Sequence, residues 1–317
     1  MSNIELLIKM KNSILITFII SILIFSCDSK QQDFTSLFNG KDLTNWTLQK
    51  PGSFEVVDGE LITRSTGSGT DIYSEKLYGN FILQLEFLLS DVGNSGVFIR
   101  RDPAVPDSGF EVQLLAPWTP WRDDLHCTGS LYGHVAVTNR PDETTGKWYK
   151  MEIRCDRNKV SVSVNDKITT IADIDTVKTL ADKPLIGFIG FQGNHAEKPD
   201  QFAKFRNIRI LDLDSDPDYV IGGFNNPDWE IRLTSNQSAV RLGAVMIQPM
   251  AVMMSGNDPM LKSEARQVLF DIVAKVSDPS ISERDRKTVR REIRKSIKSS
   301  SSEITSDYLE RIMGMIR

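Results

Sequence analysis

The chain has 317 residues, a formal net charge of −4 and 40% hydrophobic residues. That is enough apolar material for one large β domain or for two domains, and it lacks the basic footprint of a nucleic-acid-binding protein. Three cysteines, none at metal-ligand spacing, argue against a cysteine-built zinc site.

At the N-terminus, Lys9 and Lys11 precede an apolar run from Ile14 to Phe25 that ends in Ser26-Cys27. A charged n-region, an h-region and a small residue are the parts of an export signal, and the run is too short for a membrane span. The cysteine directly after the serine makes the segment similar to a bacterial lipoprotein signal, with residues 1–26 removed and lipid placed on Cys27. An ordinary secretory peptide or a signal anchor is the alternative. Residues 27–33 then form a polar tether, and the protein is expected at the cell envelope, lipid-anchored and facing the periplasm or the outer membrane. In that compartment a Cys127–Cys155 disulfide is chemically permitted.

Residues 34–211 read as β structure. Phe54–Val57 and Leu61–Thr63 flank Asp58-Gly59-Glu60, a hairpin signal. Phe81–Leu89 alternates, and Trp148–Arg154, Val160–Val164, Ile168–Ile171, Leu185–Phe191 and Phe202–Leu211 add further strands. Many short strands divided by turns predict two antiparallel sheets in a sandwich or jelly roll. Residues 212–230, opening on DLDSDPD, read as a linker. Beyond them the apolar period lengthens to about 3.6, with stripes at Ala265, Val268, Leu269, Ile272, Val273 and Val276, at Val289, Ile293 and Ile297, and at Ile304, Tyr308 and Ile312. A small helical region over 231–317 follows, packed on itself or offering a face to a protein partner. Its segment 282–298 holds eight basic and three acidic residues, either the solvated face of a bundle helix or a surface for anionic lipid or polysaccharide.

The stretch Gly93–Leu115, GNSGVFIRRDPAVPDSGFEVQLL, places polar groups inside two apolar strands. Phe110, Val112 and Leu114 alternate with Glu111, Gln113 and Leu115, and Val97 and Ile99 alternate with Phe98 and Arg100. Strict alternation predicts that Glu111, Gln113, Arg100 and Asn94 converge on one concave face. His195, in the loop that follows Gln192, and His126 are side chains suited to proton transfer near neutral pH. Trp118 and Trp121, in the loop after the Glu111 strand, suit stacking on sugar rings at a cleft rim. Trp46 and Trp148 read as core, and His134 as structural. Glu111 and His195 offer donors to a divalent cation, without a compact ligand motif.

Seven motifs occur in order: Phe38-Asn39-Gly40-Lys41-Asp42-Leu43 with Trp46, Tyr78-Gly79-Asn80-Phe81, Gly93-Asn94-Ser95-Gly96-Val97-Phe98, Phe110-Glu111-Val112-Gln113, Thr128-Gly129-Ser130-Leu131-Tyr132-Gly133, Trp148-Tyr149 and Phe205-Arg206-Asn207-Ile208. Together they make residues 34–211 resemble the 3-keto-disaccharide hydrolase family. The resemblance implies a concanavalin A-like jelly roll acting on 3-keto-glycosides, with the C-terminal helices outside it. Ordinary glycosidases need two carboxyl groups across the scissile bond, and the Glu111 strand offers one. A ketone at ring carbon 3 acidifies the hydrogen at carbon 2, so one base and one polarising group suffice for elimination of the aglycon. Glu111, His195 and His126 are then the catalytic candidates. Asn94, Arg100, Gln113, Tyr132, Gln192, Trp118 and Trp121 are the candidates for holding the sugar. Because fold does not decide function, the alternative is a lectin-like glycan-binding module without catalysis.

Overall fold

The computed structural model describes residues 33–64, 70–120, 122–194 and 200–316; the export segment with Cys27 lies outside them. Two antiparallel sheets form the expected jelly-roll sandwich. The eight-stranded sheet runs β11 (Lys167–Asp173), β10 (Lys159–Val164), β9 (Tyr149–Asp156), β6 (Phe81–Leu89), β13 (Ala203–Asp212), β4 (Glu60–Thr63) and β3 (Phe54–Val57), with β1 (Thr35–Ser36) also on β13. The five-stranded sheet runs β2 (Trp46–Leu48), β5 (Ile72–Tyr78), β12 (Gly187–Phe191), β7 (Asn94–Arg101) and β8 (Phe110–Leu115).

Period-two patterning builds the core between the sheets. Along β6, Phe81, Leu83, Leu85, Phe87 and Leu89 are buried while the residues between them are half-buried. From the other sheet, Val97, Ile99, Phe110, Val112 and Leu114 enter the same core. The opposite face of β8 therefore carries Glu111 and Gln113. Strand β5 escapes the sequence reading because its middle, Ser74-Glu75-Lys76, is polar.

The stretch read as a linker is largely helical. A 3-10 turn, Leu213–Ser215, leads into α1 (Pro217–Gly223) and α2 (Trp229–Leu242). Asp216 and Asp228 accept from the backbone of Asp218 and Glu230, and Pro217 occupies the first turn. The acidic, proline-bearing composition thus supplies helix starts. After α3 (Ile247–Ser255), helices α4 (Pro259–Val276), α5 (Glu283–Ser299) and α6 (Glu303–Met313) carry the three predicted stripes. The first three helices lack a readable stripe because serines 235 and 238 occupy buried positions and α3 is apolar nearly throughout. Phe224, Met246, Ile247, Met250, Leu269, Ile293 and Leu309 belong to a second core. Residues 34–317 nevertheless form one compact unit.

Three expectations are settled here. Trp46 is core, its indole donating to the Leu37 carbonyl at 3.1 Å. Trp148 is not: it precedes β9, where alternation has not begun, and the Arg206 guanidinium lies 3.9 Å from its ring centroid. Cys127 and Cys155 are both free and buried, one in the long loop after β8 and the other on β9 of the opposite sheet. Burial pushes the Cys155 thiol up to about 11, which keeps it protonated and unreactive.

Phe205 is fully buried, with its ring 4.4 Å from that of Phe191 across the sandwich. Phe205→Ala is expected to cost about 3–5 kcal/mol, read from the urea midpoint by tryptophan fluorescence. A cost under about 1 kcal/mol would mean that the two sheets do not share this core.

Candidate active site

The outer face of the five-stranded sheet gathers its polar groups around Glu111. The carboxylate lies flat across β7, where Gln192 Nε2 donates to Glu111 Oε1 at 2.9 Å. Only a glycine permits this path, since a Cβ on Gly96 would sit 2.4 Å from Glu111 Oε1. Beside it Gln113 is buried and donates through Nε2 to Asn94 Oδ1 at 3.1 Å. Glu111, Gln113 and Asn94 thus share one face as expected, and Gln192 joins them there.

Arg100 does not join them. Ile99 and Arg100 together oppose Ile189, because β12 pairs Phe188 with Arg101 and Gly190 with Phe98. This is a β-bulge, and Arg100 takes a left-handed φ of 51° within it. Its side chain turns away, wholly buried, and Nε donates to the Gly79 carbonyl at 2.9 Å. The extra residue re-aims Arg101 instead, which lies 5.1 Å from the centroid of Phe98, the register partner of Glu111. Arg101 is the arginine whose charge acts on Glu111.

Two groups arrive that alternation around Glu111 does not show. Asp71, just before β5, accepts from Gly193 N at 3.1 Å and from the Tyr73 hydroxyl at 3.2 Å. Its charge also acts on Glu111. Tyr73 stacks on Phe98 at 5.8 Å. Burial, helped by the Asp71 carboxylate, raises the Glu111 carboxyl from its ordinary 4.5 to about 7, against the opposing pull of Arg101 and the Gln192 hydrogen bond. Arg101 Nε and Gln192 Oε1 are buried without a hydrogen-bond partner among the described residues. Unpaired buried polar atoms beside a carboxyl that titrates near neutrality mark a place built to receive a polar ligand.

At the outer edge of β8, Tyr132 N donates to the Glu111 carbonyl at 2.9 Å, and the exposed Tyr132 ring meets His126 edge-on at 4.9 Å. His126 Nδ1 is 2.7 Å from Asp123 Oδ1, so an acidic partner orients the imidazole. Trp118 is half-exposed on the loop that follows β8. Trp121 and His195 lie outside the described residues. His134 faces Lys183 and Asp107 rather than Glu111, and burial lowers its pKa. Among the described residues no three His, Cys, Asp or Glu side chains cluster to hold a metal ion.

The two sheets define a jelly roll of the concanavalin A-like type, whose smaller sheet presents a near-neutral carboxyl, an arginine and a row of amides on its outer face. The sequence profile of the 3-keto-alpha-glucoside-1,2-lyase-like domain matches residues 33–211, and the chain belongs to that family. The chain is similar to a solved candidate glycosyl hydrolase from Parabacteroides distasonis ATCC 8503, at 26% identity and a TM-score of 0.50 over 56% of this chain and 98% of that one. A second candidate glycosyl hydrolase from that organism gives 21% identity and a TM-score of 0.49 over 60% and 98%. No curated protein matches the chain.

The Glu111 shift has a fixed sign in the stability. An unfolded chain ionises this group near 4.5 and the folded chain near 7, so the group opposes folding increasingly as pH rises between those values. Glu111→Gln is expected to be about 1–3 kcal/mol more stable than wild type at pH 8 and no more stable at pH 4, as urea midpoints will show. In ¹³C-carboxyl NMR, Arg101→Met raises the Glu111 midpoint and Asp71→Asn lowers it; movement in the opposite senses would sink this account.

Proposed function

We propose that this chain is an exported, lipid-anchored enzyme that cleaves 3-keto-glycosides by elimination followed by hydration. Glu111, as carboxylate, takes the proton from ring carbon 2. The electron pair forms the C1–C2 double bond, the C1–O bond to the aglycon breaks, and the aglycon oxygen takes a proton from a water molecule. The hydroxide so formed adds at C1 of the resulting enone, and protonated Glu111, after exchange with solvent, returns a proton to C2, which restores the saturated 3-keto sugar and the carboxylate. A base titrating near 7 is matched to this work at neutral pH. Arg101 stabilises the enolate oxygen that develops from the ketone, while Gln113, Asn94 and Gln192 hold hydroxyls. Tyr132, with the imidazole of His126 against it at the edge of β8, is assigned to the leaving-group side.

The observation that carries this reading is the pairing of Glu111 at about 7 with a neighbouring arginine whose Nε has no partner among the described residues. The family membership supports the substrate class. A second reading, direct hydrolysis of an unoxidised glycoside by two carboxyl groups, draws on Asp71, which supplies the second carboxylate that the Glu111 strand lacks.

Methyl 3-keto-α-glucopyranoside in D₂O separates the readings. Elimination leaves deuterium at carbon 2 of the product, and Glu111→Gln is expected to slow release of methanol by about 10²–10⁴-fold. Cleavage of methyl α-glucopyranoside with no deuterium at carbon 2 would favour two-carboxylate hydrolysis. Binding of either sugar without product would leave a glycan-binding module.

A further inference from the structure

The two arginines of the bulge connect the site to the far end of the sandwich. Arg100 is a fully buried cation with only neutral acceptors: the Gly79 carbonyl on Nε and, at 3.4 Å from Nη2, Asn80 Oδ1. Nη1 has no partner among the described residues. Such a charge is costly unless a counter-charge lies close. Asp214 is the carboxylate that this path reaches, one hydrogen bond further on, through Asn80. It takes the Asn80 backbone N–H on Oδ2 at 3.0 Å and the Asn80 side-chain amide on Oδ1 at 2.9 Å. Asp214 is itself buried, and Arg241 of α2 approaches it at 3.7 Å. Gly79 lets it come this near, since a Cβ there would stand 2.7 Å from Asp214 Oδ2.

The bulge has no slack in which to absorb a shift of the Arg100 head. Added Cβ atoms on Gly187 and Gly109 would lie 2.2 Å and 2.4 Å from the Arg100 carbonyl carbon and oxygen. A left-handed non-glycine residue persists only while its surroundings over-determine it, and the Arg100 hydrogen bond to Gly79 is one of the ties.

We infer that the root of the helical region holds Arg101 in its place over Phe98, beside Glu111, through a buried relay running from Asp214 through Asn80 and Arg100 to the bulge. The helices are therefore part of the site's support, and Asp214, Asn80 and Arg100 are positioning residues. The kinetic half of this inference rests on the proposed reaction; the titration half does not.

The test uses the full-length chain. Among the described residues the charged groups acting on Glu111 are Asp71 and Arg101, so loosening Arg101 lifts the Glu111 midpoint. In Asp214→Asn and Arg100→Met the ¹³C-carboxyl midpoint is expected to rise by roughly half a unit or more toward that of Arg101→Met. With 3-keto-glycoside as substrate, the acid limb of kcat/KM moves up equally and kcat falls about tenfold. Arg100→Lys, which still donates to Gly79, recovers part of both. Val160→Ala, a core truncation on β10 of the other sheet, loses stability and leaves the midpoint in place. If Asp214→Asn does not fold, Arg241→Met takes its place. An unmoved Glu111 midpoint in folded Asp214→Asn and Arg100→Met overturns the relay, whatever the turnover. A moved midpoint in a protein that cleaves no 3-keto-glycoside upholds the relay and overturns the proposed function.

Discussion

One extra residue in β7 governs the chemistry of the outer sheet face. Had Ile99 and Arg100 continued the strand without a bulge, Arg100 would have faced Glu111 and Arg101 would have pointed into the core beside Ile99. The bulge exchanges them. Its cost is a non-glycine residue at positive φ, on the order of 1–3 kcal/mol, which the hydrogen bond from Arg100 to Gly79 helps to offset. Glycines at 109 and 187 are required because the bulged backbone fills the space where their side chains would be.

The electrostatics of Glu111 follow from that exchange. An arginine placed directly against the carboxylate would hold it ionised and weakly basic. Arg101 is drawn aside, over Phe98 and with Nη1 on the Ser108 carbonyl at 2.7 Å, so burial and Asp71 prevail and the carboxyl rises to about 7. The same group therefore weakens the fold at neutral pH and is poised to accept a proton there. That opposition is expected of a reactive group and not of one that merely satisfies a sheet.

The sandwich and half of the site were legible because a period of two survives in β6 and β8, where hydrophobic burial fixes the register. Glu111, Gln113 and Asn94 needed nothing more. The error at Arg100 has a local cause: alternation is an argument about regular strands, and a left-handed residue breaks it without altering composition. Gly109, soon after the Arg-Arg pair, was the available signal of a close backbone approach. Asp71 was illegible for a different reason. It stands forty residues before Glu111, at the mouth of a strand too polar to be read, and reaches the site only through the pairing of β5 with β12. In the helical region, stripes were readable in α4 to α6, whereas α1 to α3 bury serine and methionine without a clean period.

Asp71 also bears on why one carboxylate can suffice. A count of two acids on a sugar-binding face suggests ordinary glycoside hydrolysis, in which one group protonates the leaving oxygen and the other attacks or activates water. Asp71 is committed elsewhere: Gly193 N donates to Oδ1 and the Tyr73 hydroxyl to Oδ2. A carboxylate with both oxygens occupied is a poor nucleophile and a poor base, but its charge still reaches Glu111. Its consequence there is to raise the basicity of a partner whose carboxyl has, among the described residues, a single neutral donor, Gln192. In the proposed elimination, two carboxylates divided in this way, Asp71 tied down and tuning and Glu111 taking the proton, would supply one base of matched strength. That is the requirement of an acidified C–H bond, and a pre-oxidised sugar provides one.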